Sequence, residues 1–174
     1  APLQRPGFTA TDLAANPDAF VLMTINAMGL AEPARRIAAS GASETFESES
    51  GFTAAYRDGM LVSTHGLAFD LISADGAQTR AALRRGGGQV ARAIEVMDGQ
   101  DQLTRIDFTC SVTSDGREAV NLGAREVTLR KFTESCTSAA LAFENLFWLD
   151  DAGEIIASRQ YVSPTVAYLR SNRL

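Results

Sequence analysis

Short runs of alternating apolar and polar residues cover most of the chain, and Asp-Gly pairs separate them. An Asp-Gly pair between two such runs is a strong hairpin signal, because type I′ turns require positive φ at both central residues. The pattern therefore predicts a mainly β domain built of hairpins, either antiparallel β-barrel-like or a sandwich. The pairs occupy positions 58–59, 75–76, 98–99 and 115–116, and Asp151-Ala-Gly153 is a near relative.

Four of these turns have predicted strands on both sides. In the last of the four segments, Phe143 and Phe147 alternate with Leu146 and Trp148, so both faces carry bulky apolar residues. We therefore predict a strand that is buried at least partly on each side. The flanking runs are 52–56 and 60–64, 90–97 and 103–112, 106–113 and 117–122, and 143–149 and 154–161.

Helix is predicted in only two places, and both helices are short. Residues 11–16 can form a helical turn that ends before Pro17, because the residue before proline disfavours helical backbone. Residues 77–85 predict a helix that Asp75 caps and Gly86 ends.

The 174 residues carry a formal net charge of −5, which argues against a dedicated nucleic-acid-binding protein. Length and composition predict a single domain over residues 1–174, with an irregular or helical N-terminal segment over residues 1–20. The longest apolar runs are five residues. A transmembrane helix needs about 20, so none is predicted, and these residues contain no secretory signal peptide.

The chain has two cysteines, Cys110 and Cys136, and one histidine. A structural zinc site commonly needs four ligands at short spacings, so we predict no metal site. Each cysteine lies in or just after a β-rich run, and neighbouring strands bring side chains to the separation that a disulfide requires. A disulfide is favoured, and it implies an oxidising compartment. Two buried free thiols, or a cysteine nucleophile with His65 as its base, are the alternatives.

Two stretches contain arginines and no acidic residue, namely residues 76–94 and 155–174. Arginine pairs well with carboxylate and phosphate groups, so these stretches could contact an anionic polymer, a lipid headgroup or an acidic partner. The protein's own acidic residues could equally balance them. Aromatic side chains can also stack on sugars, although core packing is the alternative for the aromatic residues here. The candidate polymer contacts are Arg80, Arg84, Arg85, Trp148, Arg159 and Tyr161.

Three stretches have the motifs of one known family. Residues 56–73 (YRDGMLVSTHGLAFDLIS) are similar to GxLxxTxGLGxDL, with Ala68 where glycine is usual. Residues 108–110 (FTC) and 134–136 (ESC) are similar to a paired-cysteine region. Residues 143–164 (FENLFWLDDAGEIIASRQYVSP) are similar to FxNxYWxDxxGxVxxSxQWxxP, with Tyr161 where tryptophan is usual. Over roughly residues 50–170, the chain resembles the YjbF/GfcB family of bacterial lipoproteins, which is associated with exopolysaccharide and group 4 capsule production.

The resemblance implies an antiparallel β-barrel-like fold, in agreement with the hairpin pattern. It also implies a periplasmic location in a Gram-negative bacterium, with anchoring to the outer membrane through a lipidated N-terminal cysteine. That cysteine is not among these 174 residues, which begin Ala1-Pro2-Leu3, so we expect the signal and lipidation motif to have been removed. The family brings no established catalytic residues, and we expect neither catalytic residues nor a cofactor.

The resulting hypothesis is a non-enzymatic lipoprotein that is accessory to exopolysaccharide or capsule production and export. It would act by binding polysaccharide, which could be anionic, or other envelope export proteins. The alternative is a periplasmic polysaccharide hydrolase or lyase that uses His65 or a carboxylate pair in a deep cleft. A third possibility is a structural envelope protein that recognises only protein partners.

Overall fold

The computed structural model describes residues 8–97 and 100–174, which form one twelve-stranded sheet and two short helices. Two 3-10 turns, Pro17–Ala19 and Asn26–Met28, flank the first strand. The elements in chain order are α1 (Ala10–Ala15), β1 (Phe20–Ile25), β2 (Leu30–Ser40), β3 (Ser43–Ser48), β4 (Thr53–Arg57), β5 (Met60–His65), β6 (Leu71–Ala74), α2 (Ala77–Arg85), β7 (Gly88–Met97), β8 (Leu103–Asn121), β9 (Glu126–Thr137), β10 (Ala142–Leu149), β11 (Ile155–Ser163) and β12 (Ala167–Arg173).

The strands pair antiparallel in the spatial order β5-β4-β3-β2-β1-β12-β11-β10-β9-β8-β7-β6. The two end strands of this order, β5 and β6, lie beside each other, so the sheet is a nearly closed barrel. Of the two predicted architectures, the barrel is therefore confirmed. Hairpins connect most of the neighbouring strands, which is why short-range turn signals reveal so much of this fold.

The predicted turn at Asp58-Gly59 is confirmed. Arg57 pairs with Met60 across β4 and β5, and the two residues between them have φ of 51° and 79°. These positive values are what a type I′ turn requires. Glycine is also needed for space, because a Cβ at Gly59 would lie 2.8 Å from Cδ1 of Ile155.

The other predicted turns have different outcomes. Asp151-Ala-Gly153 joins β10 to β11 as predicted. Asp75-Gly76 lies between β6 and α2, where Gly76 occupies the N-cap position and Asp75 Oδ1 accepts the N–H of Ala77 at 3.0 Å. The pair 98–99 lies outside the described residues, although the predicted strands on either side, β7 and β8, are present and paired.

The predicted hairpin at Asp115-Gly116 is wrong, because both residues lie within the long strand β8. The ladder to β9 shifts register between Ser114 and Arg117, which makes this site a β-bulge. Gly116 has a φ of 81°, and a bulge uses such a left-handed glycine just as a type I′ turn does. The dipeptide therefore suits both structures, and the hairpin instead closes at residues 122–125.

Beyond the bulge, the β8–β9 hairpin continues past the last residue pair of β9 and β10 and covers the outside of the sheet. We call residues 115–129 the outer arm. A Cβ at Gly123 in this arm would lie 3.1 Å from the side chain of Leu22 on β1. The arm and the sheet enclose a small second apolar cluster that consists of Val120, Leu122, Leu129, Trp148 and Ala157.

The main core fills the barrel and is separate from that outer cluster. Strand β10 contributes to both, since Phe147 is buried in the main core and Trp148 in the outer cluster. This confirms the prediction of a strand buried on two sides. The largest fully buried apolar side chains are Phe132, Phe147, Met23, Ile25, Met60, Leu61, Leu71, Leu83, Leu122, Leu149 and Leu169.

Both predicted helices are present. The first is capped by a reciprocal pair of hydrogen bonds between Thr9 and Asp12, and the second ends at Gly86 in the left-handed conformation. In the described part of the chain, neither helix has the length and apolar character needed to cross a membrane.

The predicted disulfide is confirmed. Cys110 on β8 and Cys136 on β9 lie directly opposite each other in the ladder, and their sulfurs are bonded. Both residues are buried in the main core. The alternatives of free thiols and of a cysteine nucleophile are therefore wrong for this oxidised form.

Candidate functional site

One row of residues crosses the outer face of four neighbouring strands. Leu146 on β10 pairs with Arg159 on β11, Arg159 pairs with Arg170 on β12, and Arg170 pairs with Thr24 on β1. Residues directly opposite in antiparallel strands point to the same face of the sheet. Since neighbouring strands lie about 4.8 Å apart, the row is about 14 Å long.

A cavity of about 430 Å³ lies over this row. We call it the outer cleft. Its floor is the sheet, and the 3-10 turn after β1 contributes to its wall through Asn26 and Ala27. Its lining residues are Thr24, Asn26, Ala27, Leu146, Trp148, Arg159, Ala167, Tyr168 and Arg170.

Aromatic rings support both arginines of the cleft. The Cζ atom of Arg159 lies 4.2 Å from the ring centroid of Tyr168, and that of Arg170 lies 4.7 Å from the ring centroid of Trp148. Each guanidinium is thus held against a π face, where the ring quadrupole attracts a cation. This support fixes the position of the two charges without neutralising them.

The polar contacts of the two arginines use only part of their donor capacity. Arg159 Nη2 donates to the backbone oxygen of Glu144 at 2.9 Å, and Arg170 Nε donates to Asn172 Oδ1 at 3.1 Å. Among the described residues, neither guanidinium forms a salt bridge with a carboxylate. The outer cleft therefore presents two positive charges side by side, neither of them in a salt bridge with a described carboxylate.

Burial lowers the pKa of Arg170 from its usual value, because the charged form loses solvation. The nearby Glu118 opposes this effect, and the positive charge of Arg159 adds to it. Glu118 itself pairs with Lys131, with 3.4 Å between the carboxylate and the ammonium. Arg170 thus carries its charge in a partly desolvated environment.

Two of the predicted polymer contacts, Trp148 and Tyr161, pack against other side chains of the site. Trp148 is only 3% exposed, with the outer arm and Arg170 against it, so its ring positions the arginine rather than offering a stacking surface. Tyr161 stacks on the core residue Phe143, with ring centroids 4.6 Å apart, and contacts Tyr168 edge-on at 5.8 Å. An aromatic series therefore runs from the barrel interior to the floor of the cleft.

The three arginines predicted on α2 lie elsewhere and make internal contacts. Arg80 is buried, donates to the backbone oxygen of Gly153 at 2.7 Å and lies 3.4 Å from a carboxylate oxygen of Asp58. Arg84 is exposed and pairs with the same aspartate, whereas Arg85 Nε donates to the backbone oxygen of Gly87. Asp58 thus connects α2 to the β4–β5 turn through salt bridges with two arginines of the helix. Arg80 and Arg84 also line a second cavity of about 310 Å³ near that turn.

A buried polar network lies inside the barrel near the disulfide. Glu134 Oε2 accepts hydrogen bonds from Arg92 Nε at 2.8 Å and from Thr79 Oγ1 at 2.5 Å, and its other oxygen accepts from Asn145 Nδ2 at 2.9 Å. Cys110, Glu134 and Cys136 group ligand-type atoms within 4.8 Å of one another. The sulfurs are bonded to each other and Arg92 engages the carboxylate, so these atoms are not available to bind a metal.

His65, the candidate base of the hydrolase alternative, has a carboxylate nearby in the sequence, Asp70, but that carboxylate makes structural hydrogen bonds. Asp70 accepts hydrogen bonds from the hydroxyl of Thr64 and from the N–H groups of Gly66 and Leu67. Its carboxylate therefore organises the β5–β6 connection. His65 is exposed at the end of β5.

The candidate contacts predicted from the sequence included Arg159 and Trp148 but not Arg170 and Tyr168, although the acid-free stretch 155–174 contains both. The information that brings them together is the pairing of β11 with β12. Folding the chain back between residues 163 and 167 places Arg170 opposite Arg159 and Tyr168 opposite Tyr161. That turn has no Asp-Gly pair, and the ladder is irregular between Tyr161 and Ser163, so the register was not readable from the turn.

Comparison with known proteins identifies the fold and the family. The chain is similar to the crystal structure of the hypothetical lipoprotein YmcC from Escherichia coli (K12), with a TM-score of 0.76 and 19% identity over 97% of this chain and 96% of that chain. At this identity the likeness establishes the fold. No curated protein matches the chain significantly. The model of the YjbF family, described as "Group 4 capsule polysaccharide lipoprotein gfcB, YjbF", matches residues 3–174. Because the match covers nearly the whole sequence, the chain belongs to the YjbF family of group 4 capsule polysaccharide lipoproteins.

Proposed function

We propose that this protein is a non-enzymatic accessory to the production and export of exopolysaccharide or capsule, and that it binds polysaccharide in the outer cleft. The observation that carries this proposal is the pair Arg159 and Arg170, which lie opposite each other in the cleft with no carboxylate partner among the described residues. Like charges directly opposite in a sheet are destabilising, so a bound ligand gives this arrangement a physical reason.

The form of the cleft suits a polymer. It follows a row of four strands, and a ligand lying along that row would contact an extended, open surface rather than a closed pocket. Thr24 and Asn26 supply a hydroxyl and an amide for sugar hydroxyl groups. Tyr168 and Trp148 hold the arginines in place, so little side-chain entropy would be lost on binding.

The proposed location is the periplasm, at the outer membrane through an N-terminal lipid anchor. Membership of a capsule lipoprotein family supports a position in the Gram-negative envelope. The disulfide supports an oxidising compartment, because such bonds persist in the periplasm and are rare in the cytosol.

Other functional classes have weaker support in the described residues. Asp70 and Glu134 are both engaged in internal hydrogen bonds, so neither carboxylate is a free acid or base for the hydrolase or lyase alternative. Recognition of envelope export proteins remains part of the proposal as a second role, and the test below separates it from polymer binding.

The direct test measures affinity of the purified protein for the polysaccharide that its source organism exports. We expect binding by the unmodified protein, and a loss of about tenfold or more for Arg170→Gln, since a charge-assisted hydrogen bond contributes about 1.5–3 kcal/mol. Arg105→Gln is the matched control, because Arg105 is an exposed strand arginine outside the cleft. Equal loss in both variants would contradict a specific site.

A deletion strain tests the role in export. If the proposal is correct, exported polymer decreases and cell-retained polymer increases, while the length of the polymer chains stays the same. A change in chain length would instead support the hydrolase or lyase alternative. If complexes with envelope proteins form normally without polysaccharide and no polymer binds, the protein-only role is favoured.

A further inference from the structure

We infer that the outer cleft recognises one acidic group on the sugar chain, a carboxylate or a phosphate or sulfate ester, and holds it between Arg159 and Arg170. This inference rests on the proposed function and specifies its ligand. It depends on three features of the cleft, namely the pairing of the two arginines, the lack of a salt bridge from either of them to a carboxylate of the described residues, and the way that both side chains are held.

Half of the fourteen arginines in the described residues have an internal carboxylate partner, and the two arginines of the cleft are among those that have none. Arg92 is buried against Glu134, and exposed arginines also have carboxylate partners. Seven arginines of the described chain lie within 3.4 Å of a carboxylate oxygen, and these are Arg36, Arg80, Arg84, Arg92, Arg105, Arg117 and Arg173.

The register places Arg159 and Arg170 directly opposite each other, which separates their Cβ atoms by about 4.5–5.5 Å. Because the two side chains start this close together, their guanidiniums can approach one anion from two sides. Carboxylate and phosphate groups match this geometry, because they present two or more oxygens to the forked donors of arginine. A neutral sugar hydroxyl would leave both charges uncompensated.

The aromatic rings of Tyr168 and Trp148 hold the two guanidiniums in place, which makes the site selective for the geometry of an acidic group as well as for its charge. Tyr168 contacts the face of Arg159, and its hydroxyl accepts the N–H of Glu144 at 2.9 Å, so the ring itself is fixed. Arg170 lies between Trp148 and the solvent side of the cleft. Each guanidinium is held by one ring and one hydrogen bond. Glu118, the acidic residue that acts on Arg170, is itself paired with Lys131.

The experiment compares three forms of the exported polysaccharide by titration calorimetry. The first is untreated, the second has its carboxyl groups reduced to alcohols at unchanged chain length, and the third has phosphate and sulfate esters removed. We expect one of the two treatments to weaken binding at least tenfold, and that treatment identifies the acidic group. We also expect the affinity for the untreated polymer to decrease as salt increases from low to moderate ionic strength, since screening weakens charge pairing.

Conservative variants separate charge from geometry. Arg170→Lys keeps the charge and loses the forked donors, so it should bind less tightly than the unmodified protein and more tightly than Arg170→Gln. Arg159→Gln is the second site variant, and Arg105→Gln remains the control. Circular dichroism and thermal unfolding confirm that each variant is folded before its affinity is measured.

The outcomes distinguish this inference from the proposed function. If both treated polymers bind as tightly as the untreated one, polysaccharide binding stands and recognition of an acidic group is overturned. Glucuronic acid, glucose and inorganic phosphate serve as small probes that do not depend on the host polymer. Binding of an acidic probe that Arg170→Gln abolishes, with no binding of the polymer, supports the acid site and overturns the proposed polymer. No binding of any acidic probe or polymer overturns both.

Discussion

Arg92 and Glu134 form a buried ion pair inside the barrel, with Arg92 Nε donating to Glu134 Oε2 at 2.8 Å. The side chains of Thr79 and Asn145 also donate to this carboxylate. The network joins α2, β7, β9 and β10, so it connects the helix to three strands of the barrel wall. Desolvation of two charges offsets much of their attraction, whereas loss of one partner leaves the other buried and unpaired.

The first prediction concerns this pair. Arg92→Leu should lower the free energy of unfolding by about 3–5 kcal/mol, because it leaves the Glu134 carboxylate buried without a cation. Urea unfolding monitored by circular dichroism measures the change. The double variant Arg92→Leu with Glu134→Leu should recover most of this loss. A double variant as unstable as the sum of the two single variants would show that the ion pair is not the cause.

The disulfide between Cys110 and Cys136 provides a second prediction. The bond closes a loop with a sequence separation of 26. Reduction should lower stability by about 3.5 kcal/mol in the chain-entropy model, mainly because the reduced unfolded chain is less restricted. Urea unfolding with and without reductant measures the difference. Thiol titration of the unfolded, unreduced protein should find no free thiol, and two reactive thiols would contradict the bond.

The third prediction follows from Ala68, which has a φ of 69° in the connection between β5 and β6. Left-handed backbone costs an alanine about 1–2 kcal/mol, and glycine avoids this cost but loses more entropy on folding. Ala68→Gly should therefore raise stability by up to about 1 kcal/mol. Thermal unfolding measures the effect. Ala119→Gly, at an exposed position in β8, is the control and should be destabilising by about 0.5–1 kcal/mol.

The fourth prediction concerns alkaline pH. Burial raises the pKa of Tyr161 to about 12, with Tyr168 adding to the increase, whereas an unfolded tyrosine titrates near 10. Between these values the unfolded chain loses a proton that the folded protein keeps, so stability is lost as the pH rises from about 10 through 12. Tyr161→Phe should reduce that loss and leave stability at pH 7 close to the original. Identical pH profiles for the two proteins would contradict the assignment.

Local patterns predicted much of this fold. The hairpin at Asp58-Gly59 and the helix Ala77–Arg85 depend on residues near each other in sequence, and both were predicted correctly. Asp115-Gly116 was assigned wrongly because its preference for left-handed backbone serves a bulge as well as a turn. At Asp115-Gly116 the sequence indicates only a left-handed backbone conformation. The pairing of β8 with β9 determines whether that conformation forms a turn or a bulge.

The candidate site depends on contacts that local patterns do not contain. Charge alone drew attention to the stretch that contains Arg159 and Arg170, but their position opposite each other follows from the register of a hairpin with an irregular ladder. Glu134 has the appearance of an ordinary polar strand residue, and its importance follows from Arg92 and Asn145, which the barrel brings to it from other strands. Arg80 was predicted as a surface contact, yet the packing of α2 buries it beside Asp58.

The position of Trp148 has a practical consequence, because it is the sole tryptophan of the sequence. Its indole is buried between the outer arm and the guanidinium of Arg170. Intrinsic fluorescence excited in the tryptophan band therefore arises from one location, directly beneath the proposed ligand. A ligand that draws Arg170 away from the ring would change emission intensity, and loosening of the arm would shift the emission to longer wavelength. The protein thus contains a built-in optical reporter that distinguishes occupancy of the cleft from opening of the arm without any label.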